Sequence, residues 1–101
     1  MVVWEGSHQI MRAAFRDALS HIAPTDWGEI DLTQTYQAAR KLCFETCNRR
    51  EIIAPLGGAY VIHRLALHGV APWKQTDTAP PEGRMIAYFR PELPDIKDWL
   101  A

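Results

Sequence analysis

Apolar residues recur at three- and four-residue steps near the start of the chain, which is the spacing of one face of a helix. Four of them lie on this face: Met11, Phe15, Ala18 and Ile22. Charged residues stand between them, as expected of an amphipathic helix. Ser7 can cap it by accepting a hydrogen bond from a free backbone N–H. The pattern predicts a helix over about residues 7–22, ending before Pro24.

A second helix is predicted over about residues 32–47, a segment that contains neither Gly nor Pro. The residues at its start have the pattern of a helix N-terminus. Asp31 followed by Gln34 has the form of a capping box, although Thr33 competes for the cap.

The pattern changes to short, β-prone apolar runs after this helix, and four such runs predict strands. They cover about residues 51–54, 59–63, 65–70 and 84–90. The opening Val2-Val3-Trp4 looks like the end of another strand, and residues 72–83 form a polar loop with three prolines. Helices followed by successive strands predict an antiparallel α+β arrangement in one domain over residues 1–101.

The composition is typical of a folded chain and argues against nucleic acid as a partner. Hydrophobic residues make up 48% of the 101 residues, which is typical of a globular protein. The net charge of −1 and a pI of about 6.4 leave no basic excess for nucleic acid. No signal peptide or membrane-spanning segment is evident. The two cysteines, Cys43 and Cys47, lie one helical turn apart, where bridging geometry is poor, so reduced thiols and a cytoplasmic, soluble protein are expected.

Candidate chemistry is concentrated in the last half of the chain. His63 and His68 lie among small and apolar residues, and imidazole is a common ligand of iron and zinc. The residues alone favour a hydrogen-bonded histidine of the core or of a strand end in each case, since two histidines make no metal site without further ligands. Arg84 heads the last predicted strand, on the face of Ile86 and Tyr88, where a guanidinium could pair with a small-molecule carboxylate or reach solvent.

Several short motifs occur in a fixed order along the chain. They are Glu5-Gly6-Ser7-His8, Gly57 to His63, Leu67-His68-Gly69 and Arg84 to Pro91. In this order they resemble the distal half of the phytanoyl-CoA dioxygenase family of iron(II)/2-oxoglutarate-dependent dioxygenases. That family has a Pro-Gly-Ser-His turn, a strand ending in His, a His-Gly pair and an Arg-headed strand. The resemblance covers nearly the whole chain.

The resemblance implies a fold, a cofactor and a role for three residues. The fold is a partial double-stranded β-helix, a jelly-roll or cupin-like half barrel preceded by two helices. His68 would be the distal histidine of an iron(II) site built from two His and one carboxylate. Arg84 would bind the distal carboxylate of the co-substrate 2-oxoglutarate, and His63 would lie at the edge of the site as a co-substrate contact. The activity implied is hydroxylation of a small organic substrate.

The chain departs from the family pattern at three points. Arg84 follows His68 by 16 residues, a longer interval than the family usually has. Val70 stands where many members have Ser or Thr. None of the four histidines is followed two positions later by Asp or Glu, so the His-x-acid pair that completes the triad is absent from this chain and no catalytic residue is assigned. The resemblance therefore implies a truncated or split form that pairs with a second copy or with a separate first half.

Two other functions remain open from the sequence. One is a non-catalytic small-acid-binding or assembly module that keeps the half-barrel shape and uses His63, His68 and Arg84. The other is a small metal-binding protein built on Cys43, Cys47 and a histidine, although this thiol spacing is not typical of zinc sites.

Overall fold

The computed structural model describes residues 1–72 and 86–101, and within them it has two α-helices, two 3₁₀ helices and one small sheet. The chain is therefore a mixed α+β protein, as the sequence predicted. The strands are β1 (Val2–Trp4), β2 (Arg49–Glu51) and β3 (His68–Gly69); the helices are α1 (Ser7–Ala18) and α2 (Thr33–Thr46); the 3₁₀ helices are Pro24–Glu29 and Ile96–Leu100.

Both α-helices form where the apolar pattern placed them, with differences at their ends. The first ends at Ala18 rather than near residue 22, and the N–H of Leu19 closes it on the Phe15 carbonyl at 2.9 Å. Ser7 does not cap this helix; Gly6 occupies the cap position instead. At the start of α2, the Asp31 carboxylate accepts hydrogen bonds from the backbone N–H and hydroxyl of Thr33, at 3.0 and 2.6 Å.

The hydrophobic core lies between the two helices and is closed by residues from the second half of the chain. The apolar face of α1, formed by residues at three- and four-residue steps, packs against one face of α2. Trp99 stacks on Phe15 with ring centroids 5.3 Å apart and covers one end of the core. The buried members of this core are Met11, Phe15, Leu19, Ala39, Cys43, Leu65, Leu67 and Leu100.

The sheet is antiparallel, and its first strand is the central one. The strand order is β2-β1-β3, with Val3 opposite Arg50 on one side and opposite His68 on the other. A further bond extends the pairing, from the Trp4 N–H to the Leu67 carbonyl at 3.0 Å. Three strands in this order leave the sheet open, so the described residues show neither a closed barrel nor the expected jelly-roll half barrel.

The strands are shorter than the apolar runs that predicted them. In the run at 51–54 the strand includes only Glu51, the last residue of β2, although Ile52 also exchanges backbone hydrogen bonds with Met1. In the run at 65–70 the strand covers only His68–Gly69. Residues 59–63 form no strand, and Val61 is 99% exposed. Of the strand predicted at 84–90, residues 84 and 85 lie outside the described residues, and residues 86–90 have no regular structure.

The strands are short because the sheet contains few other strands with which they can pair. A β-prone segment becomes a strand only when another strand accepts its backbone hydrogen bonds. Among the described residues, β1 is the only strand with two neighbours, and it is three residues long. None of the described helices is both long enough and apolar enough to cross a membrane.

Candidate functional site

The turn between β1 and α1 is joined directly to the segment that leads into β3. Gly6 has a φ of +79°, a left-handed conformation that glycine adopts without steric cost and that redirects the chain into α1. Ser7 follows and is completely buried. Its hydroxyl oxygen accepts a hydrogen bond of 2.7 Å from the backbone N–H of Leu67. The Gly-Ser-His turn and the segment before His68, 60 positions apart in sequence, are thereby brought together.

His68 lies on β3 opposite Val3, and its side chain is exposed. Its Nδ1 is 2.8 Å from the carbonyl oxygen of Ala66. A carbonyl can only accept, so Nδ1 carries the hydrogen and donates it. The lone pair of Nε2 is then left for another partner. A histidine that binds a metal commonly has this arrangement, in which one nitrogen donates to a backbone carbonyl and the other coordinates.

His63 lies in the loop before β3 and contacts the first helix. Its ring centroid is 5.0 Å from that of His8, with the two planes inclined at 38°. The backbone N–H of Leu65 donates to His63 Nδ1 at 3.1 Å. On the other side of the ring, a guanidinium nitrogen of Arg12 lies 3.1 Å from Nε2.

The surroundings of His63 favour its neutral form. Partial burial is the main cause that lowers the pKa of His63, because it disfavours the charged imidazolium. The basic side chains of His8, Arg64 and Arg12 lower the pKa further, in that order. His63 is thus placed in a basic environment, with a pKa below the ordinary 6.5.

Arg12 is a site residue that the sequence did not reveal. It stands one turn after His8 on α1, and its guanidinium reaches His63 across the loop. Its Nε is buried and has no hydrogen-bond partner in the part of the chain that the structure describes. The four-residue spacing of His8 and Arg12 was the available signal, since it puts both on one helix face. The amphipathic pattern alone places Arg12 among the charged residues on the solvent side of the first helix.

The two cysteines are free thiols, as predicted from their spacing. Cys43 is completely buried in the core, whereas Cys47 is partly exposed at the end of α2. Burial, followed by the nearby Cys47, raises the pKa of Cys43 to about 11. A thiol with this pKa is protonated at neutral pH, so Cys43 is poorly suited to hold a metal as a thiolate.

The residues that the structure describes do not assemble the ligand set that iron requires. In residues 1–72 and 86–101, no three His, Cys, Asp or Glu side chains are grouped so that they could hold a metal ion. His68 supplies one nitrogen, and the sequence has no His-x-acid pair to supply the rest. Arg84, the residue predicted to bind 2-oxoglutarate, lies outside the described residues.

Comparisons with known proteins leave the family open. No protein-family model matches the chain, and neither a curated protein nor a solved structure matches it significantly.

Proposed function

We propose that this chain is the distal half of an iron(II)/2-oxoglutarate dioxygenase-like protein, in which His68 provides one ligand to the metal. The remaining two ligands come from a His-x-Asp or His-x-Glu segment outside these 101 residues. In this proposal the chain is one part of a double-stranded β-helix. The substrate is a small organic molecule, and Arg84 and His63 contact the co-substrate.

The observation that supports the proposal is the contact between two motifs that are far apart in sequence. The resemblance rests on a Gly-Ser-His turn and a His-Gly pair in a fixed order. The described residues bring the two together through the hydrogen bond from Leu67 to Ser7 and the pairing of Val3 with His68. Ser7 is completely buried in this contact.

The hydrogen bonding of His68 also agrees with this role. The Ala66 carbonyl fixes the proton on Nδ1, which leaves Nε2 as a potential ligand at an exposed position. The described residues do not supply the other two ligands, because His68 is not part of any group of three His, Cys, Asp or Glu side chains that could hold a metal ion. Iron binding by the chain alone is therefore not expected.

The test is reconstitution with a separately produced first half that carries His-x-Asp. Under anaerobic conditions we expect iron(II) and 2-oxoglutarate to bind together only when both halves are present. His68→Ala should abolish this binding, because it removes one of three protein ligands. His21→Ala is the matched control: His21 is exposed and lies away from β3, so binding should be unchanged.

Two results would overturn the proposal. The first is that the added half restores neither iron binding nor 2-oxoglutarate turnover. The second is that His68→Ala and His21→Ala behave alike. The non-catalytic alternative predicts a third result, in which small acids bind without iron and binding is lost in Arg84→Ala.

A further inference from the structure

His8, Arg12 and His63 form a basic cluster at the surface of α1, and this cluster has a hydrogen-bonding deficit. His8 and Arg12 lie one turn apart on the helix, on the same face. His63 lies over them, with its ring 5.0 Å from the His8 ring and its Nε2 3.1 Å from the Arg12 guanidinium.

The two nitrogens of His63 both face hydrogen-bond donors. A neutral imidazole has one donor and one acceptor nitrogen, and a guanidinium has only donors. Since the Leu65 N–H donates to Nδ1, the hydrogen of the neutral ring is on Nε2, where it points at the Arg12 guanidinium. In the other tautomer the conflict moves to Nδ1, and a protonated ring has it on both sides. In each state one donor lacks an acceptor.

Arg12 has the same deficit. Its Nε is buried and without a partner, although a buried donor of a charged group normally has an acceptor. The ion pairs found among the described residues are Arg50–Glu5 and Lys97–Asp95, and neither involves this cluster. The neighbours that shift the pKa of His63 are all basic. The cluster therefore holds an excess of donors and positive charge without a carboxylate of the described chain to balance it.

We propose that His8, Arg12 and His63 form a binding site for a small oxyanion, that is, for a carboxylate or phosphate group of a small molecule. When the two side chains move apart from their 3.1 Å contact, an oxygen can accept from the guanidinium of Arg12 and from Nε2–H of His63. It thereby replaces the unfavourable donor–donor contact, and His8, whose ring lies 5.0 Å from that of His63, contacts the oxyanion from the side. The site shares His63 with the proposed function but adds His8 and Arg12, and it needs no iron.

The test is a titration of the metal-free chain with inorganic phosphate and, separately, with glutarate, at constant ionic strength maintained with chloride. Binding is followed through the imidazole proton resonances of His8 and His63. We expect saturable shifts of both resonances with at least one of the two probes, and the stronger probe identifies the oxyanion. The resonances of His21, which is exposed elsewhere, should not move in parallel.

Variants distinguish specific binding at this site from nonspecific attraction of anions to the positive charges of the protein. Arg12→Gln should weaken binding by at least about tenfold, because it removes a charge-assisted hydrogen bond. His8→Gln removes a side chain with no hydrogen bond in the described structure, so it should weaken binding without unfolding the chain. Arg40→Gln is the matched control, since Arg40 lies on α2 against Tyr36 and Phe44.

Each outcome bears on the proposal. Weaker binding in Arg12→Gln and His8→Gln, with Arg40→Gln unchanged, supports it. The proposal is overturned if neither probe gives saturable shifts, if the three variants lose affinity equally, or if binding survives in Arg12→Gln and is lost in Arg84→Gln. These results do not depend on reconstituted iron binding, so this site and the dioxygenase proposal can fail separately.

Discussion

Cys43 of α2 and Cys47, the residue that follows α2, lie four positions apart but differ in burial and therefore in expected reactivity. Cys43 is inaccessible, and its pKa of about 11 leaves little thiolate at neutral pH. In the native chain we expect a thiol-alkylating reagent to modify Cys47 well before Cys43, as measured by mass spectrometry of the digested protein. In denaturant the two should react at similar rates. Equal rates in the native chain would contradict the packing of Cys43.

His63 gives a pH-dependent contribution to stability with a definite sign. Its pKa is lower in the folded chain than the ordinary 6.5, so below this pH the unfolded chain binds a proton that the folded chain resists. Stability should therefore fall as the pH is lowered from 7.5 through 6.5 and below. Partial burial is the main cause of the lowered pKa, and the basic groups that face His63, namely His8, Arg64 and Arg12, add to it.

The contribution of His63 is isolated by comparison with His63→Asn, in which the amide oxygen can replace Nδ1 as the acceptor for Leu65. The free energy of unfolding of the two proteins is measured by urea denaturation across this pH range, in buffer free of phosphate. We expect the native chain to lose more stability on acidification than the variant. Parallel pH profiles would show that His63 is not held in its neutral form.

The sequence indicated His63 and His68 of the candidate site but did not indicate Arg12, and this difference has a physical reason. His63 and His68 were found because they belong to short motifs in a fixed order. Arg12 could not be assigned a role, because a charged residue on an amphipathic helix is usually solvated. Its role depends on a loop 51 positions away that places His63 against it. Ser7 was read as a helix cap for the same reason: its actual partner, Leu67, is remote in sequence.

At the level of elements, the bond between Ser7 and Leu67 joins the β1–α1 turn to the segment before β3. Ser7→Ala leaves the Leu67 N–H buried without an acceptor, which costs about 1–3 kcal/mol of unfolding free energy. Ser20→Ala is the control, because the Ser20 hydroxyl donates to the Asp17 carbonyl at an exposed site, and its loss should change stability by less than about 0.5 kcal/mol. Urea denaturation measures both. Equal effects would mean that the buried bond does not hold these elements together.

The helices were predictable and most of the strand lengths were not. A helix satisfies its hydrogen bonds within one segment, so the spacing of Met11 and Phe15 indicates α1 without further information. A strand depends on a partner elsewhere in the chain. The apolar residues Ile53 and Val61 have the pattern of strand residues, yet they are 83% and 99% exposed, because none of the strands among the described residues extends to them. The α+β class therefore follows from the sequence, whereas the extent of the sheet does not.

Across the whole molecule, arginine side chains link the end of the chain to its core. Arg16 of α1 donates to the Leu100 carbonyl at 3.1 Å. Arg64 donates to the backbone carbonyls of Trp99 and Asp98 from the loop that carries His63. The last 3₁₀ helix is thus attached both to α1 and to the loop of the candidate site, and Trp99 is held in its place on Phe15.

The outer strands β2 and β3 each have one side without a neighbouring strand among the described residues, and the loop between them exposes apolar side chains. Leu56 and Val61 are about fully exposed, at 102% and 99%. Open sheet edges and exposed apolar side chains favour association. We therefore expect the chain to self-associate when it is alone, with a sedimentation coefficient that increases with protein concentration.

Charge placed on the exposed apolar segment should oppose this association. The double variant Leu56→Lys, Val61→Lys is expected to sediment closer to the monomer than the native chain at the same concentration, with little change in thermal stability because neither side chain is packed. The double variant Gln34→Lys, Gln37→Lys adds the same charge on the exposed surface of α2 and serves as the control. If both variants reduce association equally, net charge rather than this segment controls it. If the native chain remains monomeric at all concentrations, the exposed segment does not mediate self-association.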